Sequence, residues 1–224
     1  MQDKSLYSAG STGIESVLST NKVLKNTYML LGVTLLFSAV TAGISMAMGL
    51  GQGTALIFML VGFGLLFVVN KTADSSKGLL AIFAFTGVMG ASIGPMLNYY
   101  LAMPSGPSLV MQALGGTAVV FFGLSAYALT TRKDFSYMGG FLMVGLLVAV
   151  VAMIANIFLA IPALSLTISA AVVMIMSGLI LYDTSRIING GETNYIRATV
   201  SLYLDIYNLF IHLLSLLSFF SGDD

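Results

Sequence analysis

No cysteine occurs among the 224 residues, which excludes a disulfide framework, a thiol nucleophile and any cysteine-ligated metal. There is one histidine, His212, so a single chain cannot assemble a histidine-based metal centre. Charge is scarce too: 8% of the residues are Asp, Glu, Lys or Arg, against roughly 25% in soluble domains. No Ser/His/acid set stands at a spacing that prepares a nucleophile, and no glycine-rich stretch forms the strand-to-helix loop that holds a phosphate. Catalysis has no visible residues, and the chain reads as a non-enzyme without a bound cofactor.

What fills the sequence instead is apolar: 58% of the residues are hydrophobic. Runs of about 18 or more such residues are long enough to cross a hydrocarbon core of roughly 30 Å. Seven can be drawn: Thr27 to Leu50, Thr54 to Val69, Gly78 to Leu101, Leu109 to Leu129, Tyr137 to Ala160, Ala163 to Thr184 and Ala198 to Phe220. The second is short. Breaks such as "GLGQG", "NKTADSSK" and "MPSGPS" carry the Gly, Pro and polar chemistry that ends helices, and connections this tight make neighbouring helices antiparallel. The expected architecture is an all-α, seven-helix transmembrane domain over residues 27–220. A polar N-terminal tail (1–26), weakly ordered to about Leu18, precedes it, and a short acidic tail (221–224) follows it.

Orientation follows from the bases, because Lys and Arg near span ends stay on the cytoplasmic side. Lys4, Lys22 and Lys25 precede the first span, Lys71 and Lys77 separate the second from the third, Arg132 and Lys133 the fourth from the fifth, and Arg186 and Arg197 the sixth from the seventh. The alternate loops carry none. The N-terminus is therefore expected inside, retained as a cytoplasmic tail, and the C-terminus outside. Small residues at Ala39 and Gly43, at Gly90 and Gly94, and at Gly139, Gly140 and Gly145 read as devices for close helix packing.

Two acids lie within the spans. A carboxylate facing lipid costs a few kcal/mol, so such residues face the bundle interior or water and mark function. Asp205 lies about 12 Å deep counted from Arg197, and it shares a helix face with Asn208 and His212. Asp183 is shallower. On position alone it reads as an interfacial acid that reaches water or pairs with Arg186. The alternative is a meeting with Asp205, since the two depths differ by roughly 7 Å on adjacent antiparallel helices. Two carboxyls at short range in a low dielectric cannot both ionise cheaply and share a proton; once deprotonated they attract a hard cation such as calcium. For His212 an interhelical hydrogen bond is the simpler role and a proton relay the alternative. Asn98 and Asn156 read as interhelical hydrogen bonders.

Three stretches, "FAFTGVMGASIGPMLNYYL" (Phe83 to Leu101), "ALGGTAVVFFGLSAYAL" (Ala113 to Leu129) and "GGETNYIRATVSLYLDIYNLF" (Gly190 to Phe210), resemble the transmembrane Bax inhibitor motif (Bax inhibitor-1) family. Within it, "KTADSSKG" and "TTRKDFSYMGG" are similar to the proteobacterial YccA branch. The resemblance implies a central last helix wrapped by the others, residence in the bacterial inner membrane, and a paired-aspartate pH sensor that maps onto Asp183 and Asp205. It implies two roles of different class: a partner and modulator of the membrane protease FtsH, and a pH-sensitive calcium leak through the acid pair. Some members latch the acids with an arginine at the end of the second helix. Here that region reads Asn70-Lys71, and lysine lacks the planar fork for bidentate carboxylate binding.

Overall fold

A computed structural model describes the backbone of residues 4–222 and the side chains of residues 19–222; the expected weak order up to Leu18 concerns residues outside the described side chains. Among the described residues seven helices follow one another: α1 (Lys4–Ala47), α2 (Gln52–Thr72), α3 (Lys77–Leu101), α4 (Gly106–Thr131), α5 (Gly139–Leu159), α6 (Pro162–Ile188) and α7 (Tyr195–Ser221). A single 3₁₀ turn, Ser136–Met138, leads into α5. All seven are long and apolar enough to cross a membrane, the first over Ser19–Ala47, and no strand occurs among the described residues.

Helix ends differ from the sequence expectation where side chains extend them. The second span is not short: α2 has 21 residues, because Asn70 Nδ2 donates to Leu66 O and Thr72 Oγ1 to Val68 O, so both polar residues continue the helix. α7 starts three residues before Ala198 because the Asn194 side chain accepts from the Ile196 and Arg197 amides at 2.9 and 3.1 Å, satisfying donors that a helix start otherwise leaves free.

α7 packs against α1, α2, α3, α4 and α6, whereas α5 packs on α6 and on its own leading turn. In lipid the hydrophobic effect gives no drive between helices, so close backbone approach and interhelical hydrogen bonds hold them. Both are concentrated around α1, α3 and α7. A Cβ on Gly90 would run into the Ser38 backbone and Thr41, and one on Gly94 into Ser45; only glycine lets α1 and α3 lie this close. Ser38 Oγ donates to Thr86 O at 2.6 Å. With that proton used, Tyr203 OH of α7 donates to Ser38 Oγ at 2.8 Å. Tyr207 OH lies 2.9 Å from Ser92 Oγ, and Asn98 Nδ2 donates to Met46 O at 3.1 Å.

Not every small residue serves packing. A Cβ on Gly43 or Gly140 would meet nothing within 4 Å, which corrects the packing role expected of these two. Gly43 instead borders a cavity, and Gly140 is on the sparsely partnered α5.

Candidate functional site

The α6–α7 hairpin sets the site. Asn189 N donates to Ser185 O, and Gly191 N and Glu192 N both donate to Arg186 O, which closes the end of α6 through Gly190 at φ +74°, a conformation suited to glycine. Antiparallel α6 and α7 then bring two acids together. Asp205 is 4% exposed, and its Oδ2 has no hydrogen-bond partner among the described residues. The Asp183 carboxyl is its electrostatic neighbour across the α6–α7 seam. Asp183 faces its second expected partner as well: Arg186 Nη1 lies 3.9 Å from Asp183 Oδ1. That contact is at the outer limit of an ion pair, because the guanidinium is committed elsewhere. Its Nη2 donates to Gly191 O at 3.1 Å, and it sits over the Tyr182 ring at 5.5 Å, a cation–π arrangement.

The other sequence candidates lie apart from this contact. Lys71 is exposed at the end of α2 and makes no ion pair among the described residues. Asn208 turns its amide back to Leu204 O at 2.8 Å. His212 Nδ1 lies 3.2 Å from Ser169 Oγ of α6. Among the described residues no three His, Cys, Asp or Glu side chains gather. Calcium takes six to eight oxygens, so a calcium ion at the two acids would draw on water and backbone carbonyls for most of its shell.

A second polar cluster had no signal in the sequence. Arg197 grips Asp74 with both terminal nitrogens, at 2.9 and 3.3 Å, while its Nε lies 3.6 Å from Glu192 Oε1. Asn194 Nδ2 donates to Asp74 Oδ1 at 2.8 Å and to Ala73 O at 2.9 Å. The Arg197 hydrogen bonds, and then that of Asn194, hold the Asp74 carboxyl below the usual carboxylate range. The cluster ties the α2–α3 loop to the start of α7 on the base-bearing end of the bundle, across 123 residues of sequence. No local motif announces such a pairing.

A cavity of about 470 Å³ lies along α7 among α1, α3 and α4, lined by residues such as Leu31, Gly43, Leu114, Phe121 and Phe210. Its three tyrosines are already paired, Tyr28 with Thr184, Tyr203 with Ser38 and Tyr207 with Ser92. Neither acid borders it, and its apolar wall offers a hydrated cation no ligands.

Comparison with known proteins places this geometry. Residues 20–222 match the family described as inhibitor of apoptosis-promoting Bax1. The chain is 56% identical over 209 residues to the modulator of FtsH protease YccA of Escherichia coli, covering 93% of this chain and 94% of that protein. It is 51% identical to an uncharacterised membrane protein of Vibrio cholerae, with 96% of each covered, and 48% identical to an uncharacterised protein of Pseudomonas aeruginosa, with 90% and 91% covered.

Proposed function

Because the chain belongs to the Bax inhibitor-1 family, we propose that it acts as a modulator of an FtsH-type membrane protease. It is a multi-pass protein of the bacterial inner membrane, with seven spans. The Lys- and Arg-bearing loops and the N-terminus face the cytoplasm, and the C-terminus faces the periplasm. The observation that carries the reading is the identity, along nearly the whole of both chains, with the relative named for that modulation. Such a role needs a binding surface and no catalytic group. The sparsely partnered α5 supplies a surface within the bilayer, and the N-terminal tail supplies one in the cytoplasm. Purification from native membranes tests it: the protease is expected to accompany the full chain and its Asp205→Asn variant, and to be lost when residues 1–18 are removed or the α5 face is altered. Absence of the protease from the full-chain preparation would sink direct modulation.

The buried acids favour a second reading, a pH-sensitive cation leak with calcium as the permeant ion. Asp205 Oδ2 is buried without a donor beside Asp183. A proton shared by the pair removes one negative charge; its loss leaves a dianion that attracts a cation or draws Arg186 closer. Calcium flux into liposomes holding the pure protein is expected to depend on pH through Asp183 and Asp205. Flux indifferent to Asp183→Asn and Asp205→Asn, or no flux at all, excludes this reading and leaves the protease role standing.

A further inference from the structure

Two further cavities, of about 390 and 350 Å³, adjoin at Asn156 and Ser165. The first is a rim where span ends meet: Tyr99 and Tyr100 near the end of α3, the turn at Ala160–Pro162, and Ser218 in the last turns of α7. All of these lie at the end of the bundle opposite the lysine- and arginine-bearing loops. The second continues inward between α5 and α7 to Ser169 and His212. It is open because the α5 backbone packs close to α6 and stays away from α7.

The lining mixes apolar residues such as Met153, Ile157 and Ile168 with uncharged polar ones. Ser165 and Asn156 bond to each other at 2.6 Å, Ser215 and Ser218 add hydroxyls, and Asp, Glu, Lys and Arg are absent from the described lining. A roomy cavity with several polar partners holds water, and in a membrane polar groups at this depth face the bundle or water. His212 stands about 13 Å inward from the end of α7 at Ser221. Its Nδ1 is engaged by Ser169 Oγ, and its Nε2 makes no hydrogen bond to the described protein, so Nε2 is the nitrogen left for solvent. The serine hydroxyl can donate to neutral Nδ1 or accept from Nδ1–H, so both the imidazole and the imidazolium keep this bond.

We propose that the cleft between α5, α6 and α7 is a water-filled vestibule open at the base-free end of the bundle, and that His212 at its floor binds protons from that side. The charges around it are few. α5 has no acid or base, and on α6 the nearest are Asp183 and Arg186, about four turns beyond Ser169. On α7 Asp205 lies about 10 Å deeper, and Tyr99 and Tyr100 stand at the rim. No neighbouring acid competes for the proton at the imidazole itself. The inference is independent of both the protease role and the acid pair.

The absence of Cys and Trp makes the full chain a clean background for the test. Single Ser165→Cys, Ser169→Cys and Val151→Cys variants are treated, in right-side-out membrane vesicles, with a membrane-impermeant thiol reagent that attacks the thiolate, a species that forms in water. Val151 is 66% exposed on the lipid side of α5 and serves as the control. Ser165→Cys and Ser169→Cys are expected to react at least about tenfold faster than Val151→Cys. Equal rates at Ser169→Cys and Val151→Cys would mean a lipid-filled cleft and overturn the vestibule. For His212, a Met153→Trp reporter, with Ile157→Trp as a second position, is followed as the outer pH falls from about 8 to about 5. The emission is expected to change across this range, and the change to vanish in His212→Gln. An unchanged transition in His212→Gln, or no transition with His212 present, overturns the proton site.

Discussion

α5 and α7 are both unbroken membrane helices, yet they obey opposite rules. α5 is apolar apart from Asn156, and it buries Leu142 and Ala149 alone. α7 carries an acid, an arginine, a histidine and several hydroxyls, and it buries twelve residues from Ile196 to Ser218. In water the more hydrophobic helix would sit at the centre; in lipid the solvent takes the apolar helix and the protein takes the polar one. Hydropathy separates the extremes of this bundle: α5, the most apolar span, is among the least buried, and α7, the least apolar, is among the most buried. It also identifies where mutations matter.

The sharpest test of that contrast exchanges one residue type in the two environments. Gly90→Leu places a side chain against the Ser38 backbone and is expected to cost about 3 kcal/mol or more through overpacking, with loss of the folded state in detergent melts. Gly140→Leu, on α5 with open space at its Cβ, is expected to stay within about 0.5 kcal/mol of the parent; equal losses at both sites would break the comparison. Tyr203→Phe removes the hydroxyl that α7 gives to Ser38 and is expected to cost about 1 kcal/mol, read as a lower melting temperature. Phe141→Leu, at a 79% exposed position on α5, is expected to leave that temperature nearly unchanged.

The smallest effect belongs to the Asp74–Arg197 tie at the base-bearing end. Asp74 is held below its ordinary range, so its contribution is complete at neutral pH and is lost as pH falls through that depressed value. Hydrogen exchange in the α2–α3 and α6–α7 loops is expected to quicken only below the ordinary carboxylate range. Asp74→Asn is expected to give the faster exchange already at neutral pH, and high salt to do so weakly.

Much of this was legible in the sequence, for physical reasons that differ by residue. All seven spans follow from runs of apolar residues, and the i,i+3 proximity of Asp183 and Arg186 follows from helical geometry. Span ends were less legible, since Asn70 and Thr72 look like loop residues until their side chains fold back on the helix. Gly43 and Gly90 have the same chemistry and border the same cavity, and only Gly90 has a neighbouring backbone against its Cβ position. The Arg197–Asp74 fork joins distant loops and leaves no spacing to read. Asp205 stood out because burying a charge in an apolar run needs a reason; its contact with Asp183 depended on the rotation of two helices, which hydropathy does not fix.

The ties of Tyr203 and Tyr207 to α1 and α3 also bear on how the protein is made. α7 leaves the ribosome after the six spans before it, and the hydroxyls that receive it, Ser38 and Ser92, enter the membrane long before. Until α7 is made, the earlier helices surround an unfilled seat lined with hydrogen-bonding groups. A chain terminated before Tyr195 would keep that seat open to lipid, so the bundle gains its centre only when α7 arrives.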